Sequence, residues 1–176
     1  MEQAKGVPVR NLLVWLLLIA VLVVAYQTGQ FRTHKPGEPV SGAARIIDGD
    51  SLEIAGARIR IHGIDAPEGR QQCRDSKGAD YACGREAARA LDRIIGGRTV
   101  TCTPVTLDQY ERDVATCETA GRDIGEAMVR AGHARDYTRH SRGRYASAER
   151  EARDAKRGMW AGSFEDPREW RKREGK

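Results

Sequence analysis

Hydrophobic positions are distributed unevenly along this chain. Residues 11–31 carry no charged side chain, and Leu12 to Ala25 is continuously apolar. Crossing hydrocarbon takes roughly 20 helical residues, so the segment is long enough for a transmembrane helix, although Gln27, Thr28 and Gln30 weaken its outer end. Lys5 and Arg10 precede it, an asymmetry that keeps residues 1–10 cytoplasmic and sends the rest across. A cleaved signal peptide is the alternative, with Val23-Val24-Ala25 offering small residues at a cleavage spacing. Residues 32–42 follow with Pro36, Gly37, Pro39 and Gly42, which discourage helix and strand, so a flexible linker is expected there.

Beyond the linker the pattern becomes that of a small mixed domain, residues 43–162. Short strands are expected over 43–47, 51–54 and 57–64, separated by turns at Asp48-Gly49-Asp50 and Ala55-Gly56. In the third, Arg58, Arg60 and His62 alternate with Ile59, Ile61 and Gly63, a period of two that puts arginines on one face and isoleucines on the other. Residues 84–95 read as a helix with Ala87, Ala88, Leu91, Ile94 and Ile95 as its apolar stripe, stopped by Gly96-Gly97. Further strands are expected over 98–103, ended by Pro104, and over 114–119. Further helices are expected over 124–131 and 145–157. Five short strands with a helix after the third, and three helices in all, fit an α+β fold built on a five-stranded OB-type Greek-key barrel. Residues 163–176 are dense in charge and read as a solvated basic tail.

The net charge of +5, from 30 Lys+Arg against 25 Asp+Glu, permits nucleic-acid binding without demonstrating it. The four cysteines, Cys73, Cys83, Cys102 and Cys117, all follow the apolar segment, and an even number in an exported domain reads as disulfides. Cys102 and Cys117 end consecutive predicted strands, and Cys73 and Cys83 bracket a polar loop. Pairing within these two couples is therefore favoured among the possible connectivities. A zinc site is the weaker alternative, because no pair has CxxC spacing.

Three carboxylates stand out: Asp50 after the first turn, and Asp65 and Glu68 at the end of the third strand. A meander of the first three strands brings both segments to one barrel edge. Clustered carboxylates repel one another unless a cation joins them, and oxygen ligands suit calcium or magnesium. Pro67 rigidifies the approach to Glu68. Arg60 lies on the same strand as Asp65, and Arg112 follows the later turn. Fixed cations beside a metal stabilise the charge that develops in phosphodiester cleavage, and a carboxylate can take the proton from attacking water.

The chain resembles the staphylococcal nuclease family. The resemblance is carried by Ile47-Asp48-Gly49-Asp50-Ser51, Arg60-Ile61-His62-Gly63-Ile64-Asp65-Ala66-Pro67-Glu68 and Gly84-Arg85-Glu86-Ala87. It continues with Asp108-Gln109-Tyr110-Glu111-Arg112, Ala127-Met128-Val129-Arg130-Ala131-Gly132 and Lys156-Arg157-Gly158-Met159-Trp160. It implies Ca2+ held by Asp50, Asp65 and the Ala66 carbonyl, with Glu68 acting on the attacking water. It implies Arg60 and Arg112 on the phosphate, and Tyr110 and Tyr137 against the nucleotide. The implied activity is cleavage of single-stranded or frayed DNA and RNA to leave 3′-phosphate ends. A monomer is expected, held at the bacterial inner membrane by its apolar N-terminal segment with the domain outside the cytoplasm, or secreted or periplasmic after signal cleavage. Three positions depart from the family pattern: Glu111 where glycine is usual, Ala66 for a frequent threonine, and Gln109 for a common lysine. Glutamate at a glycine position is expected to strain a positive-φ turn and to compete with phosphate for Arg112. The alternative function is a noncatalytic nucleic-acid- or protein-binding OB barrel tethered to the membrane.

Overall fold

The structure, a computed structural model, describes residues 9–27 and 35–175, with side chains described for 14–24 and 35–175. The chain separates into two compact units, residues 1–33 and 34–176. The first contains helix α1 (Val9–Gln27). The apolar segment thus forms a helix. Its side chains at 14–24 are exposed, and among the described residues no helix is long and apolar enough to cross a membrane. The outer end of the expected span, 28–31, lies outside the described residues.

The second unit is one curled sheet with helices packed on it, an OB-type α+β fold. Its strands are β1 (Val40–Gly42), β2 (Ala44–Ile46), β3 (Ser51–Ile54), β4 (Ala57–Ile61), β8 (Val100–Leu107), β9 (Asp113–Thr119) and the short β10 (Arg122–Asp123). Two small ribbons accompany it: β5 (Ile64–Asp65) with β11 (Arg135–Asp136), and β6 (Cys73–Arg74) with β7 (Asp80–Tyr81). The helices are α2 (Cys83–Ile95), α3 (Ile124–Arg130), α4 (Thr138–Ser141), α5 (Ala146–Asp154) and α6 (Pro167–Arg173).

The main sheet runs β1-β8-β9-β4-β3-β2, with β10 added to β9. The predicted meander is present, since β2, β3 and β4 are antiparallel neighbours. The period of two holds along β4, where Ala57, Ile59 and Ile61 are buried, Arg58 is exposed and Arg60 is half-buried. These isoleucines meet Leu52, Ile54, Val100 and Ala115 from the sheet and Leu91 from α2 in one core. Burying such side chains contributes roughly 1.5–3 kcal/mol each.

The main sheet has seven strands rather than the expected five, α4 falls where no helix is expected, and the helix expected over 145–157 ends at Asp154. Four further differences have a clear physical reason. The third strand stops at Ile61, because Gly63 adopts φ +78° and the chain re-pairs as β5 with β11. The fourth does not end at Pro104 but runs to Leu107. Beyond Cys102 the partner β1 has ended, so Pro104 sits on an edge beside a register shift, where a missing N–H costs no ladder bond. The linker is partly folded. Val40–Gly42 pairs with Cys102–Val100, and Gly37 N–H donates to Asp113 Oδ1 at 2.8 Å. The C-terminal tail is partly helical rather than solvated throughout. Pro167 starts α6, Asp166 caps it, and Trp170 is buried. Both cysteine couples are bonded, Cys73 to Cys83 and Cys102 to Cys117.

Candidate active site

Three consecutive sheet segments bring the acidic candidates together. The turn before β3 is closed by Asp50 N–H donating to Asp48 Oδ1 at 3.0 Å. Ile61 N–H donates to the Asp50 carbonyl at 2.8 Å, fixing this turn against β4. The Asp50 side chain then reaches β5: its Oδ2 accepts from Ala66 N–H at 3.2 Å, and its Oδ1 from Ser51 Oγ at 3.0 Å. Ser51 pairs in register with Arg60. The Arg60 Nη2 nitrogen consequently sits 2.9 Å from Asp50 Oδ2 and 3.0 Å from Asp65 Oδ1. Both carboxylates are 4% exposed.

Burying this much charge is costly, and an ion pair in such a place is weak evidence for a stabilising role. The titration of the groups reports the strain. Burial, then the neighbouring charge of Asp50, pushes the Asp48 carboxyl up to about 7. Burial also raises Asp65, against the pull of the Arg171 and Arg60 guanidiniums. The attraction of Asp50 holds Arg60 protonated against burial. Asp48 and Asp65 raised beside an Arg60 held charged mark a place short of positive charge, which is a functional signature.

Glu68 lies just beyond β5, with its N–H donating to Gln71 Oε1 at 3.1 Å. Its backbone packs against the start of α2 so closely that a Cβ on Gly84 would lie 1.8 Å from the Glu68 carbonyl oxygen. Glycine at the head of the Gly84-Arg85-Glu86-Ala87 segment is therefore what lets α2 support the loop that carries Glu68. The Glu68 carboxylate is not free. Arg171, from α6, places Nη1 2.9 Å from Glu68 Oε1 and 3.0 Å from Asp65 Oδ1, and Nη2 3.2 Å from Asp65 Oδ2. Arg171 falls within 163–176, whose charge density points to a solvated tail and not to a site residue. The available signal was Asp166-Pro167, a cap and first-turn pair, followed by Trp170 as an apolar anchor.

Arg112 enters by a different route. β9 runs parallel to β4, with Arg60 beside Val114, so Arg112 stands just before the strand that flanks Arg60. Its guanidinium is held by Asp108, not by Glu111: Nε donates to Asp108 Oδ2 at 2.7 Å, and its backbone N–H to Asp108 Oδ1 at 3.0 Å. Glu111 does adopt the expected left-handed conformation, φ +59°, and its side chain is exposed. The expected competition for Arg112 thus comes from Asp108 instead. A cleft of about 170 Å³ beside this loop is lined by Arg60, Ile64, Leu107, Asp108, Tyr137 and His140. Tyr137 lies in it, edge-on to His140 with ring centres 4.7 Å apart. Tyr110 does not line this cleft. It is 68% exposed at the loop tip, with the Arg112 guanidinium 5.6 Å from its ring centre.

The oxygen donors of Asp50 and Asp65 have the charge and hardness a divalent cation of the calcium type requires. Among the described residues, no group of three or more acidic, cysteine or histidine side chains is arranged to hold a metal ion. The positive charge facing these carboxylates comes from Arg60 and Arg171. The donors thus fit such a cation in chemistry, with the two guanidiniums on the same oxygens.

A family model described as staphylococcal nuclease homologue matches residues 58–162. Among known proteins, the succinoglycan biosynthesis protein ExoI of Rhizobium meliloti (strain 1021) is 42% identical over 132 residues, covering 73% of this chain and 69% of that protein. The probable staphylococcal-like nuclease CAN3 of Oryza sativa subsp. japonica is 39% identical over 117 residues, 65% of this chain and 28% of that protein. An uncharacterized endonuclease of Escherichia coli is 33% identical over 123 residues, 66% of this chain and 74% of that protein.

Proposed function

This chain belongs to the staphylococcal nuclease family of hydrolases, and from that premise we propose that it is a calcium-dependent nuclease cleaving single-stranded or frayed DNA and RNA to leave 3′-phosphate ends. The observation that carries the reading is the single nitrogen of Arg60 lying within 3.0 Å of both Asp50 and Asp65, on a residue that also lines the cleft holding Tyr137. Two nuclease-named relatives support the reaction class.

Each side chain then has a task its position allows. Asp50, Asp65 and the Ala66 carbonyl are the groups that would hold calcium. The roughly six to eight oxygens that calcium takes leave places for water and phosphate. When bound, the ion supplies positive charge against the phosphate and polarises it. Arg60 faces the same oxygens and neutralises charge gained in the transition state, and Arg112 joins it once substrate draws it from Asp108. The Glu68 carboxylate takes the proton of the attacking water. Tyr137 gives a nucleotide base or sugar an aromatic wall, a sequence-tolerant contact suited to single strands.

We propose that the apolar N-terminal segment directs the domain outside the cytoplasm, as an inner-membrane tether or as a cleaved signal, a reading supported by the uncharged run 11–31 with Lys5 and Arg10 before it. Two disulfides suit an oxidising compartment. The test uses the full-length chain in non-ionic detergent with single-stranded DNA and RNA, in calcium and in chelator. Calcium-dependent shortening to fragments whose 3′ ends are sensitive to phosphatase supports the reading. Retardation without shortening in either condition would replace it with a binding module.

A further inference from the structure

The last helix is fastened across the carboxylates by contacts that owe nothing to them. Arg74 and Ser163 exchange two backbone hydrogen bonds, at 2.8 and 3.0 Å, beside the Cys73–Cys83 bond. Gln71, fully buried, donates through Nε2 to the Glu165 carbonyl at 2.7 Å. Asp166 pairs with Arg135, and Trp170 is 6% exposed. Arg171 is the next residue. Its neighbour Arg173 turns outward to Glu165. The helix is thus anchored by contacts other than those to the Asp65 and Glu68 carboxylates, and one of its cations is aimed at them.

That cation takes up Asp65 with both nitrogens and Glu68 with one. Asp65 is the carboxylate that the calcium reading above assigns to the metal, and Glu68 the one it assigns to the water; the present inference rests on that reading. A guanidinium and a divalent ion on the same oxygens repel one another strongly in a half-buried site. Charge-assisted bonds of this bidentate kind are also among the stronger ones in proteins.

We propose that Arg171 is a built-in competitor of the metal: in the metal-free protein its guanidinium occupies Asp65 and masks Glu68, and calcium binds by exchanging with it. The helix stays docked through Trp170 while the side chain leaves. The competition lowers the apparent calcium affinity and keeps the site closed at low calcium.

Isothermal titration of calcium chloride into the full-length chain in non-ionic detergent tests this without reference to activity. Arg171→Ala and Arg171→Gln are compared with wild type and with Arg173→Ala, which lies on the same helix outside the site. Arg171→Gln keeps part of the aliphatic stem and decides the matter if the alanine variant does not fold. Calcium binding about tenfold tighter in the Arg171 variants, with Arg173→Ala unchanged, is expected. Equal or weaker binding in the Arg171 variants, in a protein that binds calcium, overturns this proposal alone. Binding by neither wild type nor variants overturns the calcium reading and this proposal together.

Discussion

Arg112 donates its Nε proton to Asp108 Oδ2 across 2.7 Å, so the cation expected to meet phosphate is bound to a carboxylate of its own loop. Asp108 also accepts the backbone N–H groups of Tyr110 and Arg112, at 2.8 and 3.0 Å. Burial alone would raise its carboxyl, but these bonds outweigh it and hold it below the usual range. One residue therefore both shapes the turn and restrains the guanidinium.

Asp108→Asn separates the two roles, since the amide oxygen still accepts backbone protons but carries no charge. An exposed or half-exposed ion pair is worth roughly 0.2–1 kcal/mol. We expect KM for single-stranded DNA to fall about two- to fivefold, with little change in melting temperature. An unchanged or raised KM would show that Asp108 orients Arg112 rather than competing for it.

Glu111 occupies a left-handed turn position at φ +59° with its side chain exposed. Glu111→Gly relieves it, though glycine gives the unfolded chain more freedom. The net expected gain is about 0.5 kcal/mol, read as a small rise in melting temperature. A lower melting temperature in Glu111→Gly would contradict this account of the loop.

Gly84 carries the opposite expectation. A methyl group there would meet the Glu68 carbonyl oxygen at 1.8 Å, and neither backbone can yield without moving the other. Gly84→Ala should lose about 2 kcal/mol or more of stability and reduce turnover by displacing Glu68. A variant that melts like wild type would mean that the loop and α2 are not in contact as described.

The strain on Asp48 predicts a pH dependence. Its carboxyl ionises near the ordinary 3.8 when unfolded and near 7 when folded. Folding therefore favours the protonated acid. Its contribution is complete below about pH 4 and is lost as pH rises to about 7. In chelator, Asp48→Asn should gain melting temperature relative to wild type between about pH 4 and pH 8. A difference that stays constant over that range would contradict the raised value.

Much of this arrangement is written locally. The alternation of Arg58 and Arg60 with Ile59 and Ile61 dictates which face of β4 is buried, and the Gly96-Gly97 stop sets the end of α2. The turn at Asp48-Gly49-Asp50 places Asp50 beside Asp65 once β3 and β4 pair. What local pattern could not give is long-range. The parallel pairing of β4 with β9, which sets Arg112 beside Arg60, spans some fifty residues of chain. The extension of β8 through Pro104 depends on where β1 ends. Arg171 was hidden for a different reason: Arg168 to Lys176 is almost wholly charged, and a single apolar side chain, Trp170, supplies the burial that docks it.

The proposed task of the Glu68 carboxylate is to activate water at a calcium-dependent phosphodiesterase site. Its most direct test compares wild type and Glu68→Gln on single-stranded DNA in calcium and in chelator, using full-length chain in detergent with both proteins shown to melt alike. Cleavage by wild type in calcium only is expected, with a loss of about 100-fold or more in kcat for the variant. Cleavage by Glu68→Gln at the wild-type rate, or cleavage by wild type in chelator, would contradict it.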